Sequence, residues 1–142
     1  MKTFFYTICF IFLVGCSGNT ENENCKFLLN INFNIPLNLN LPQYSQLQFA
    51  GNSIYVTNVG NGGIIIASTG ADFLAWDARD PNHAQTSCSI LVNSGLEATC
   101  GCDDENTYSL VTGQALGTNP LPCSLRNYRV QKNGNTLYIS NQ

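Results

Sequence analysis

The sequence predicts an all-β domain, a small antiparallel sandwich or barrel, and three observations carry that expectation. Residues 30–41 alternate strictly, with Ile31, Phe33, Ile35, Leu37, Leu39 and Leu41 on one face and Asn30, Asn32, Asn34, Asn38 and Asn40 on the other. Period two over that length is a half-buried strand. Short apolar runs follow, cut by Gly, Asn and Pro, as in sandwiches and barrels. No stretch repeats apolar residues at three-and-four spacing for more than one turn, so no amphipathic helix is expected.

In chain order, Pro36 falls on the polar face of the first strand, which points to an edge position or a bulge because proline cannot donate to a ladder. Beyond Pro42, residues 53–56, 63–67 and 73–76 are apolar runs bounded by turn formers and read as strands. Residues 96–100 and 107–111 continue the series, with a turn at Gly113. Residues 127–131 and 136–140 flank Lys132-Asn133-Gly134-Asn135, and Asn-Gly between alternating runs is the strongest short hairpin signal.

The start of the chain is of another kind. Met1-Lys2 leads into an apolar run over residues 4–14 that ends in Leu13-Val14-Gly15-Cys16. The run is shorter than the ~20 residues of a membrane span and reads as a secretory signal. Its ending resembles the lipobox of bacterial lipoproteins, which implies cleavage before Cys16 and acylation of its sulfur, a membrane anchor. Residues 1–15 are then the signal peptide, 16–24 a lipidated cysteine with a polar tether, and 25–142 one domain. Ser17 after the lipidated residue implies outer-membrane sorting in a diderm bacterium. Without Lys2, five basic residues face nine acidic ones, a net charge of −4, and there is no basic patch for nucleic acid. Of seven cysteines, Cys9 lies in the signal and Cys16 takes the lipid. Cys25, Cys88, Cys100, Cys102 and Cys123 remain, an odd set outside the cytoplasm: two disulfides and one thiol that is free or has a non-protein partner.

Two loops hold the unusual residues: Trp76-Asp77-Ala78-Arg79-Asp80-Pro81-Asn82-His83, followed by Ser87-Cys88-Ser89, and Thr99-Cys100-Gly101-Cys102-Asp103-Asp104-Glu105-Asn106-Thr107-Tyr108. With the following Gly113, the Pro120-Leu121-Pro122-Cys123 loop and Leu125-Arg126-Asn127-Tyr128-Arg129-Val130, they resemble a Rieske-type domain. The small ferredoxin-like subunits of nitrite reductases and ring-hydroxylating dioxygenases are the nearest branch. The resemblance spans residues 54–139. It implies a two-iron, two-sulfur cluster held by two cysteines on one iron and two histidines on the other.

Position by position, those four ligands fall on Asp80, Asn82, Cys100 and Asp103, so one of four is kept. His83 stands one residue beyond the expected place. No cluster, metal or other cofactor is therefore expected. The resemblance further implies a Cys88–Cys102 bridge tying the loops together and, with Cys100 freed from iron, a Cys100–Cys123 bridge, leaving Cys25 over. Asp80, Asp103, Asp104 and Glu105 lack the alternate-position order of a calcium loop and read as turn residues. His83 has no serine or cysteine nucleophile in a recognisable arrangement. Trp76 and Tyr108 read as core aromatics beside the loops. Together these features describe a lipid-anchored cell-envelope protein whose Rieske-like domain has lost its cluster and acts as a non-catalytic binding or structural module, its partner an unidentified envelope protein or ligand. The alternative is an electron-transfer protein of the Rieske ferredoxin kind serving an oxidoreductase partner. A thiol-based version of that alternative rests on Cys100-Gly101-Cys102.

Overall fold

The computed structural model describes residues 25–141. The expected signal, Cys16 and the tether lie outside them.

Ten antiparallel strands form two sheets. The larger contains β1 (Asn34–Asn38), β10 (Thr136–Ser140), β9 (Asn127–Asn133), β4 (Phe73–Asp77), β3 (Ile64–Ser68) and β2 (Asn52–Val56), adjacent in that order. The smaller runs β5 (Leu91–Ser94), β6 (Glu97–Cys100), β7 (Thr107–Ser109), β8 (Ala115–Leu116).

Strand β1 is an edge, paired only with β10, and Pro36 sits opposite Tyr138, where a missing N–H costs the ladder nothing. The alternation holds: Leu37 and Leu39 are buried and Phe33 and Ile35 half-buried, with the asparagines outward. The strand is nevertheless shorter than residues 30–41. The Asn38 side chain accepts from Asn40 N (2.9 Å) and its carbonyl from Leu41 N (3.0 Å), an Asx turn that ends pairing. Pro42 then opens a 3₁₀ turn, Pro42–Gln48, anchored by fully buried Leu47, and Leu41 is exposed.

Strand β3 is buried along its whole length because it serves two cores. Ile64 and Ile66 pack with Leu37, Leu47, Tyr128, Leu137 and Ile139. Ile65 and Ala67 face Trp76, Leu91, Cys100, Tyr108, Leu110 and Leu125. The second of these cores lies directly beneath the two loops. Trp76 fixes its centre by donating Nε1–H to the Leu110 carbonyl (2.9 Å), and Gly113 passes over the same ring. A Cβ there would lie 2.5 Å from the indole, and φ is +73°, so both space and backbone select glycine.

The final hairpin closes with Asn133 opposite Thr136, so the two central turn residues are Gly134 and Asn135. Gly134 has φ +59°, and glycine with positive φ at the first central position is the type II′ pattern.

Candidate functional site

Three loops meet at one end of the small sheet. The first, residues 78–90, leaves β4 and returns into β5. Its base is zipped by Leu91 N to the Ala78 carbonyl (2.7 Å) and Asp80 N to the Ser89 carbonyl (2.9 Å). The second, residues 101–106, joins β6 to β7 and is pinched by Cys100 N to the Asn106 carbonyl (2.8 Å). The proline loop, residues 117–126, is held by Leu125 N to the Gly113 carbonyl (2.8 Å) and Asp77 N to the Arg126 carbonyl (2.9 Å).

The side chain at the centre is Asp80, fully buried. Its Oδ1 accepts the Tyr108 hydroxyl (2.5 Å) and Asn82 N (2.8 Å), and its Oδ2 accepts Asn106 Nδ2 (2.9 Å). Asn82 extends the network. Its Nδ2 donates to the Tyr108 oxygen (2.8 Å) and the Cys123 carbonyl (2.7 Å), and its Oδ1 accepts from Cys123 N (3.0 Å). One residue of the first loop thus grips the proline loop by both backbone groups. Asn106 also donates to Asp104 Oδ2 (2.9 Å). A buried carboxylate demands partners of this kind, and here they come from the first loop, the second loop and strand β7.

Cys100, at the end of β6, is buried at 3 % exposure and is a free thiol. Burial first, and then hydrogen bonding to Asp80 and the negative charge of Asp80 and Asp104, push it up to about 12. Burial and Asp80 likewise push the Tyr108 hydroxyl well above the ordinary phenol range, so at neutral pH it remains the donor that Asp80 requires.

Among the described residues there are two disulfides, Cys25–Cys123 and Cys88–Cys102. The second is the expected tie between the loops. The expected Cys100–Cys123 bridge does not form, and Cys25 is not left over. The reason is local: the Asn82 amide clamps Cys123 by its backbone, and the Cys123 sulfur bonds to the incoming chain at Cys25, while Cys100 stays in the core below Asp80.

Of the expected positions, the structure brings Asp80, Asn82 and Cys100 together and leaves Asp103 exposed on the second loop. Asp104 and Glu105 are also exposed. Trp76 and Tyr108 are core residues. His83 lies beside the bridge, with Nδ1 2.9 Å from the Ala84 carbonyl and 3.9 Å from Cys102 Sγ. Asn106 and the Tyr108 hydroxyl were not legible as site residues, since nothing in the sequence marks which polar groups a buried acid recruits.

A two-iron, two-sulfur cluster does not fit these donors. It needs two thiolates and two imidazoles. Asp80 and Asn82 are spent on the loops, Asp103 is an exposed carboxylate, and Cys100 is the one free thiol among the described residues. Among the described residues, two groups bring three metal-ligating side chains together, His83 with Cys88 and Cys102, and Cys100 with Cys102 and Asp104. Each includes sulfur already committed to the Cys88–Cys102 bridge.

No family model matches the chain, and no curated protein matches it in sequence. Solved structures do match in fold. The ferredoxin of carbazole 1,9a-dioxygenase from Nocardioides aromaticivorans superposes with a TM-score of 0.50 at 17% identity, covering 75% of this chain and 98% of that one. A chain from the complex of reduced oxygenase and oxidized ferredoxin in carbazole 1,9a-dioxygenase gives 0.51 at 20% identity, covering 76% and 94%. A quaternary ammonium Rieske monooxygenase gives 0.51 at 17% identity, covering 69% of this chain and 30% of that one. The domain has the Rieske-like fold.

Proposed function

We propose that the protein is a lipid-anchored accessory protein of the cell envelope, a Rieske-like domain in which hydrogen bonds and a disulfide hold the loops that a cluster holds elsewhere. It recognises a protein partner and carries out no reaction of its own by iron–sulfur chemistry. The observation that carries this reading is the saturated Asp80 carboxylate, bonded at the same time to Tyr108, Asn82 and Asn106. A carboxylate so engaged is committed to the loops and supplies neither the thiolate nor the imidazole that a Rieske centre needs.

The second reading is electron transfer to an oxidoreductase. The solved proteins of this fold speak for it more strongly than for a clusterless module: they include a ferredoxin that serves a dioxygenase and a ferredoxin in complex with its oxygenase. A partner protein is common to both readings.

The deciding experiment uses native protein, purified without iron supplementation and again after reconstitution with iron and sulfide. The clusterless reading expects colourless protein, less than stoichiometric iron, and no paramagnetic resonance after reduction. Two irons per chain with a Rieske-type signal would establish the second reading instead. Anchoring has its own test: a palmitate analogue should label the chain at Cys16, and Cys16→Ser should abolish both the label and membrane fractionation.

A further inference from the structure

We propose that the Cys88–Cys102 bridge is a redox-active disulfide, a two-electron couple that exchanges with the dithiol of a partner protein. The bridge is asymmetric. Cys88 is exposed whereas Cys102 is 7 % exposed, so an incoming thiolate can reach only the Cys88 sulfur. Around the pair stand groups that thiol exchange uses. The Thr86 hydroxyl is 3.2 Å from Cys88 Sγ and 3.9 Å from Cys102 Sγ. His83 Nδ1, whose hydrogen the Ala84 carbonyl (2.9 Å) can accept, lies 3.9 Å from Cys102 Sγ.

The exchange balances in two steps. A partner thiolate attacks Cys88 Sγ, forming a mixed disulfide and breaking the Cys88–Cys102 bond. The electron pair goes to Cys102 Sγ, which takes the Nδ1 proton of His83 in its imidazolium form, leaving a neutral ring that recovers the proton from solvent. Leaving-group stabilisation of this kind sets exchange rates. The partner's second thiolate then attacks its own sulfur in the mixed disulfide and releases Cys88, which takes up a proton. The partner ends as a disulfide and this chain as two thiols.

The surroundings favour the protonated product. Asp104 lies with Cys100 and Cys102 in one group whose ligand atoms are within 4.8 Å of one another, and its negative charge opposes a Cys102 thiolate. The proton supplied by His83 answers that charge. On the first loop Asp80 and Arg79 are the other charged groups; Asp80 is held by Tyr108, Asn82 and Asn106, and Arg79 Nη1 by Ser89 Oγ (3.0 Å) and the Thr86 carbonyl. Cys100, the third sulfur of the neighbourhood, is kept out of the exchange by burial beneath Asp80. A Cys100–Cys102 bridge would need a two-electron oxidant, which the opened dithiol form lacks. The loops stay placed after opening because Asp80 still holds Tyr108 and Asn106, and Asn82 still holds the proline loop.

The test is differential alkylation with mass mapping of the full chain across dithiothreitol and glutathione redox buffers, with circular dichroism recorded on the same samples. Expected is reversible reduction of Cys88 and Cys102 while Cys25–Cys123 stays bridged and the fold is kept. In Cys102→Ser, oxidised glutathione should add once, at Cys88; in Cys88→Ser, it should not add at Cys102. His83→Gln should slow reduction by at least about tenfold near neutral pH, as loss of a proton donor does, and flatten the rate's pH profile, with the equilibrium unchanged. Reduction of both bridges together with loss of fold would overturn the proposal. So would equal glutathione addition at Cys88 and Cys102 in the two variants, or an unaltered pH profile in His83→Gln.

Discussion

At the scale of single residues, the site shows how one carboxylate can organise a loop cluster. Asp80 is buried and accepts three hydrogen bonds, so removing a donor strips a buried carboxylate of a partner, worth about 1–3 kcal/mol. Tyr108→Phe removes the donor to Asp80 and the acceptor of Asn82 together. It should lower unfolding stability by about 2 kcal/mol in urea titration, and a loss within error would mean that the network closes without the hydroxyl. Cys100 gives a second expectation. Its thiol is raised from 9.0 to about 12, so the folded chain holds that proton where the unfolded chain releases it. The associated stability is present below pH 9 and is lost as pH rises from 9 towards 12. Tyr108 and Tyr128, both raised by burial and then by Asp80 and Asp77 respectively, add to the same alkaline loss. Melting temperature measured from pH 8 to 11 should therefore fall, and Cys100→Ala should fall less steeply over that window. At pH 8 the native, buried thiol should also react with Ellman's reagent much more slowly than an exposed thiol of ordinary pKa, since only the thiolate attacks.

At the scale of elements, what was legible in the sequence was periodicity. The alternation around Ile35 and Leu37, the buried run Ile64-Ile65-Ile66 and the Asn-Gly punctuation each state locally what the strand then does, and the corresponding strands are present. What was not legible was set by contacts distant in sequence. Strand β8 is two residues long and exists because β7 is beside it. Strand β5, Leu91-Val92-Asn93-Ser94, is too short and mixed to announce itself, and it is fixed by β6 and by Asn93 bonding to Ser53 of β2. The 3₁₀ turn after Pro42 has no periodic signal of its own; one buried leucine holds it. The turn at Gly113 belongs to both groups, since its position was legible but its contact with Trp76 was not. Gly113→Ala places a methyl against the indole and forces positive φ on a residue that resists it. It should cost about 1–3 kcal/mol, with a shift in tryptophan fluorescence showing that the ring has moved. A neutral substitution with unchanged fluorescence would mean the turn has slack that its geometry denies.

At the scale of the whole molecule, the fold and the pairing of its cysteines were legible to different degrees. The Rieske-like arrangement was legible because the two loops and the tail of the domain resemble a Rieske-type domain. The Cys88–Cys102 bridge came with that resemblance; the pairing of Cys123 did not, because it depends on where the backbone turns each sulfur, and Asn82 turns Cys123 towards Cys25 by a clamp no spacing reveals. That pairing has a global consequence. Cys25–Cys123 spans 98 positions and ties the first described residue to the proline loop, whereas Cys88–Cys102 spans 14 and ties neighbouring loops. In the chain-entropy account, closing a loop near the longer length restricts the unfolded chain by about 4.7 kcal/mol and the shorter by about 3. The two bridges should therefore be unequal in the opposite sense to their importance for the site. A Cys25→Ser, Cys123→Ser double variant should lose more global stability in urea than Cys88→Ser, Cys102→Ser, yet keep the Asp80 network, because Asn82 grips Cys123 through backbone atoms that serine retains. Hydrogen exchange distinguishes the two effects: the Cys123 amide should stay protected in the first variant at denaturant levels well below its midpoint. Early exchange at that amide would show that the distant bridge, and not the Asn82 clamp, holds the proline loop over the site.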